Sequence, residues 1–187
     1  MKYVLSLAFT AGLTLSSAAQ ADEISDTLQS ALDAYAEGDV AYALEELDFA
    51  KQRMTSLQAS SFEEFLPSPL EGWTREMDNE LQTGLAFMGG GIAAGANYTA
   101  PDNAQSYKVT IMADNAIVAS MGTMAANAAQ MGMRVERIGR QRIALGDDQA
   151  LAFINNRVLI TIDGKDQDLM MTVMEQIDFS GLSDFGS

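Results

Sequence analysis

Two groups of side chains in this sequence of 187 residues could carry chemistry. The first is thioether sulfur. Twelve methionines occur, with Met121, Met124, Met131 and Met133 close together and Met170, Met171 and Met174 forming a second group. Thioethers are soft ligands suited to Cu(I), so the four between 121 and 133 form a candidate site for a methionine-based Cu(I) carrier. The same residues also read as packing, because Met121, Met124 and Met131 share one helical stripe and methionine fills irregular cores. The second group is guanidinium. Arg134, Arg137, Arg140, Arg142 and Arg157 are five of the eleven basic residues, and on adjacent strands they would hold an anion or carboxylate through bidentate forks. Trp73 joins them as a candidate ligand-binding residue. The competing reading pairs these arginines with the chain's own acids.

What is missing narrows the chemistry further. The chain has no Cys and no His, which removes disulfides, thiolate nucleophiles, thiolate zinc sites and the Ser-His-Asp triad. With 26 acids against 11 bases and a net charge of -15, the surface repels phosphate, so nucleic acid is not an expected partner. The acid pairs Glu45-Glu46, Glu63-Glu64 and Asp147-Asp148 read as solvated faces, and no calcium-loop spacing accompanies them. A carboxylate-dependent hydrolase therefore ranks last among the readings. Gly89-Gly90-Gly91 lacks the Lys-Ser/Thr of a phosphate loop. No catalytic residue and no cofactor are implied.

The first residues describe an export signal. Lys2 precedes an apolar run from Val4 to Leu15, and Ala19-Gln20-Ala21 supplies a small-x-small cleavage site. A leader over residues 1–21, cut after Ala21, places the protein in the periplasm of a bacterium. Leu81 to Pro101 also carries no charge, but its large apolar residues are few and its glycines many. It reads as a glycine-rich loop feeding a strand, so no stable membrane span is expected after cleavage.

The elements that must position these groups fall in two parts. Residues 22–65 read as an acidic helical hairpin. Ile24, Leu28, Ala31, Leu32 and Tyr35 form one stripe, Val40, Ala43, Leu44, Leu47, Ala50 and Met54 a second, and Gly38 supplies a left-handed cap between the two helices. The run Ala34-Tyr35-Ala36-Glu37-Gly38-Asp39 with Ala43, Leu47 and Ala50 resembles the core of one tetratricopeptide repeat. That resemblance implies close packing at Ala43 and Ala50, and a lone repeat must dock on the rest of the chain or on a partner. Leu66-Pro67-Ser68-Pro69-Leu70 opens a proline-containing linker over 66–72. The acidity is lopsided: residues 22–104 carry 16 acids and 3 bases, residues 105–187 carry 10 and 7.

Residues 73–180 read as an α+β domain, an antiparallel sheet packed against two helices. Expected strands lie at 73–77, 91–99, 107–112, 150–154 and 157–162. One helix is capped by Asp114 and carries the methionine stripe; a closing helix is capped by Asp166 and buries Leu169, Met170, Val173, Met174 and Ile177. With Asn155-Asn156 as a two-residue turn, Phe153 faces Val158 and Leu151 faces Ile160, all on the core face. Residues 181–187 read as a flexible tail. The start Leu66-Pro67-Ser68-Pro69-Leu70-Glu71-Gly72-Trp73 and this order of elements resemble the Mog1/PsbP/DcrB-like fold family, which implies a binding or assembly accessory. The expectation is an exported, soluble, non-enzymatic accessory that binds an envelope protein or a small ligand.

Overall fold

The computed structural model describes residues 15–81, 84–85 and 90–185. The first fourteen residues of the expected leader lie outside them. The chain forms two compact units that divide between Met54 and Thr55, inside a helix rather than at the proline segment.

The first unit is the hairpin. Helix α1 spans Leu15–Glu37 and α2 spans Val40–Glu63. Gly38 at φ +87° closes the turn: its N–H donates to Tyr35 O and the N–H of Asp39 to Ala34 O, the paired bonds of a Schellman cap. Asp39 then accepts the N–H of Tyr42 at 3.1 Å and caps α2. At the other end Arg53 reaches Glu23 at 2.8 Å, so the helices run antiparallel. The seam departs from the expected stripes. Thr27, Ala31, Ala34, Ala43 and Ala50 are buried, while Leu28, Leu32, Tyr35, Val40, Leu44 and Leu47 are exposed. The buried seam is made of small side chains, and the bulky residues stand to its side.

The second unit is built on a seven-stranded, wholly antiparallel sheet in the order β1-β2-β3-β7-β6-β5-β4. Its strands are β1 (Thr74–Met77), β2 (Ile92–Thr99), β3 (Ser106–Ala113), β4 (Arg134–Ile138), β5 (Gln141–Leu145), β6 (Gln149–Ile154) and β7 (Val158–Gly164). Two meanders, β1 to β3 and β4 to β7, are joined where β3 pairs with β7. Within the uncharged stretch, Ile92–Thr99 forms β2, with Ala93, Ala94 and Ala96 buried. No helix among the described residues is long and apolar enough to cross a membrane.

Both faces of the sheet are covered. On one, Val109, Ile111, Ile143, Leu145, Ile160 and Ile162 meet Met170, Val173 and Met174 of α4 (Gln167–Met174), Leu182 of α5 (Phe179–Asp184), and Phe62 at the end of α2. Asp166 caps α4 as expected, accepting the N–H groups of Asp168 and Leu169. On the other face, Ala93, Met112, Ala144, Leu151 and Leu159 meet Val118 of α3 (Ala116–Ala126). The N-cap of α3 is Asn115, which accepts the N–H of Val118. Asp114, the expected cap, instead sits at φ +58° and binds Arg157. The helix stops at Ala126, and a short 3₁₀ turn at Ala128–Met131 follows.

The β6–β7 register differs from the expected one. Asn155 and Asn156 do take positive φ, 50° and 55°, and the N–H of Arg157 donates to Ile154 O. Arg157 then bulges out, because its guanidinium is held by Asp114 and by the Phe185 carbonyl. The ladder resumes at Ile154↔Val158 and Phe153↔Leu159. Leu151 and Phe153 therefore face α3, while Val158, Ile160 and Ile162 face α4. One extra residue exchanges faces because side chains alternate along a strand.

The segment expected as a linker is packed. Leu66 is buried, and the buried Tyr98 hydroxyl donates to Pro67 O at 2.6 Å. Where a flexible tail is expected, α5 buries Leu182, and the Phe185 ring packs edge-on against Phe62 at 4.3 Å. Tyr98 stacks on its cross-strand partner Tyr107 at 4.6 Å, and Trp73 lies 5.2 Å from Tyr107. The Tyr107 hydroxyl is buried without a partner among the described residues. Burial, and then the neighbouring Tyr98, push its pKa up to about 12.

Two substitutions separate these hydroxyls. Tyr98→Phe orphans the Pro67 carbonyl and is expected to cost about 1 kcal/mol in denaturant unfolding, whereas Tyr107→Phe is neutral or stabilising. A raised acid pKa favours the neutral folded form. That stabilisation is intact below an ordinary tyrosine pKa of about 10 and is lost as pH climbs toward about 12. Tyr107→Phe should therefore move the alkaline unfolding midpoint upward.

Candidate functional site

A small cleft opens between α3 and the β4–β6 end of the sheet, with a volume of about 140 Å³. Its lining is mixed: Ala125 and Ala126 from α3, Val135 from β4, Ala144 from β5, and Leu151 and Phe153 from β6 are apolar, while Gln141, Arg142 and Asn156 are polar. Gly122 is the residue that lets α3 sit so near. A Cβ there would lie 2.3 Å from the tip of the Phe153 ring, so that ring occupies the space a side chain would need. The β5–β6 ladder ends at Ile143↔Ala152. Past that pair the Gln141 side-chain amide donates to the Phe153 and Arg142 carbonyl oxygens, taking the place of ladder bonds where the strands part.

The rim carries the charge. Arg142 lines the cleft, and Arg137 stands directly opposite it in the β4–β5 ladder, on the same sheet face. Both are exposed, and among the described residues neither forms an ion pair. Like charges directly opposite across antiparallel strands are unfavourable.

The remaining candidates scatter. Arg134 pairs with Glu136 at 2.9 Å, and alternation along β4 sets both on the opposite face from Arg137. Arg140 lies in the exposed β4–β5 turn. Arg157 is a structural tie, its Nε and Nη2 donating to the two Asp114 oxygens at 2.9 and 3.0 Å and its Nη1 to Phe185 O at 2.6 Å. Hydrogen bonding to Asp114 is the main reason its pKa is raised. Trp73 packs on Tyr107 on the α4 face of the sheet and is not brought to the arginines.

Methionine is divided as well. Met121, Met124 and Met133 pack half-buried against the α3-side cluster, while Met131 is 58% exposed in the 3₁₀ turn. The acid pairs do not make a site: Glu63, Glu64, Asp147 and Asp148 are exposed, and no group of three or more carboxylates that could hold a metal occurs among the described residues. Of the arginines named from the sequence, Arg142 lines this cleft and Arg137 stands opposite it, while Gly122, Gln141 and Phe153, which also line it, carry no such mark in the sequence. A glycine inside the α3 stripe is the one signal that could have pointed there. Comparison with protein-family profiles, with curated proteins and with solved structures gives no match for this chain.

The arrangement makes a stability prediction. Arg142→Gln and Arg137→Gln should each relieve repulsion and raise stability by about 0.2–1 kcal/mol at low salt. Thermal unfolding of the unliganded variants measures this, and added salt should shrink the gain.

Proposed function

We propose that this chain is an exported, non-enzymatic accessory protein of the cell envelope whose sheet unit binds a small amphipathic carboxylate. The observation that carries the reading is Arg142, which lines a largely apolar cleft, with Arg137 directly opposite it in the β4–β5 ladder and neither having an acid partner among the described residues. A carboxylate placed between two guanidiniums accepts bidentate hydrogen bonds and offsets the repulsion between them. The apolar part of the lining would take a short hydrocarbon tail. A volume of about 140 Å³ holds about four or five water-sized groups, since each occupies roughly 30 Å³ in the liquid. Export rests on the leader-type residues at the start of the sequence, and the absence of Cys and His is in keeping with a binding role.

The test is a ligand series followed by calorimetry: short-chain and aryl-substituted carboxylates, each beside its uncharged amide. The carboxylates are expected to bind and the amides to fail. Arg142→Gln should weaken binding about tenfold or more, the loss of roughly 1.5–3 kcal/mol for a hydrogen bond to a charged group. Ala125→Leu, which puts a larger side chain into the cleft from its lining, should abolish it while the fold, read by circular dichroism, is kept. Equal binding of acid and amide, or no binding by any member of the series, overturns the reading.

A further inference from the structure

The hairpin carries a surface that its own fold leaves uncovered. Helix periodicity and the buried seam fix where its side chains lie. With Thr27, Ala31 and Ala34 turned toward Ala43 and Ala50, the residues Leu28, Leu32 and Tyr35 lie about a quarter-turn to one side of α1, one helical step of about 100° per residue being applied. The same construction on α2 places Val40, Leu44 and Leu47 a quarter-turn from its seam. Because the helices are antiparallel, the two stripes emerge on one side of the hairpin. The Arg53–Glu23 bond sets the register, which puts Tyr35 level with Val40, Leu32 level with Leu44 and Leu28 level with Leu47. These six side chains are between 40% and 66% exposed. They form a two-helix-wide apolar trough about 10 Å long, seven residues at a rise of about 1.5 Å each, and Lys51 ends it on α2.

Charge decides what can lie in that trough. Residues 22–54 hold nine acids and two bases, a net of −7. Glu45 and Asp48 stand beside the α2 stripe, and Asp26, Asp33, Glu37 and Asp39 line the opposite side of the hairpin. A second copy of the hairpin would bring −7 against −7, whereas a cationic segment is attracted to the same field. A single helix with apolar anchors at i, i+3 or i+4, and i+7 matches the trough in length and width.

We infer that the hairpin docks a basic amphipathic helix of a partner protein in the trough formed by Leu28, Leu32, Tyr35, Val40, Leu44 and Leu47. The inference stands on the first unit alone and is independent of the carboxylate cleft.

The test uses the full-length protein and two labelled synthetic helices with identical leucine anchors, one with lysine and one with glutamate on the polar positions. Fluorescence anisotropy should show the lysine peptide binding and the glutamate peptide not. Leu32→Ser and Leu44→Ser should each weaken binding about tenfold and leave helicity by circular dichroism intact. Tyr42→Ser, on the other side of α2, should leave it unchanged. Raising the salt should weaken binding while the leucine dependence persists. Equal binding of both peptides, or binding indifferent to Leu32 and Leu44, overturns the inference. So does sedimentation of the unliganded protein as a dimer that Leu44→Asp converts to monomer, since the trough would then belong to a second copy.

Discussion

Burial of the sheet on both faces is the constraint from which the second unit follows. A strand that is covered on one side only can alternate apolar and polar residues, but β2, β3, β6 and β7 have no solvent side and must be apolar or small at nearly every position. Alanine meets that demand repeatedly: Ala93, Ala94, Ala96, Ala113, Ala144, Ala150 and Ala152 are all buried. It keeps the covering helices close to the sheet. The polar atoms that do enter are tied locally, as when Lys108 meets Asp78 at 2.6 Å and holds that carboxyl below its ordinary range.

The same constraint explains what could be read from the residues and what could not. Gly38 and Asp39, Asp166 with its first turn, and the α+β order of elements are local signals, each carried by a few neighbouring residues whose backbone preferences agree. The β6–β7 register is not local. Asn155-Asn156 announces its turn, but the bulge at Arg157 depends on Asp114 and Phe185, which are distant in sequence. Because the sheet is apolar on both sides, no polar face marks a register slip, and Leu151 and Phe153 fit either cluster by composition. In the hairpin the stripe reading fails for a related reason. Periodicity locates an apolar arc, but the arc here is wide enough to hold both a seam of alanines and a flank of leucines.

The arginines show how residue type outruns residue position. Five guanidiniums within a short stretch suggest one site, yet strand alternation sends Arg134 to one face and Arg137 with Arg142 to the other, and the bulge removes Arg157 altogether. What remains is a pair whose mutual repulsion the fold does not relieve. A local electrostatic cost at the lip of a largely apolar cleft is a departure from the consistency seen elsewhere in the sheet, where local preference and packing agree.

The position of Trp73 has an optical consequence. It is the single tryptophan of the sequence, half-buried and 5.2 Å from the Tyr107 ring, which in turn stacks on Tyr98. Light absorbed by those two tyrosines passes to one acceptor, so the emission is a report on the β2–β3 hairpin and the packed segment above it. The helical hairpin contains no tryptophan and is silent in that channel. Fluorescence and far-ultraviolet dichroism would thus follow different parts of the chain, and any difference between their unfolding curves measures how far the two compact units melt as one.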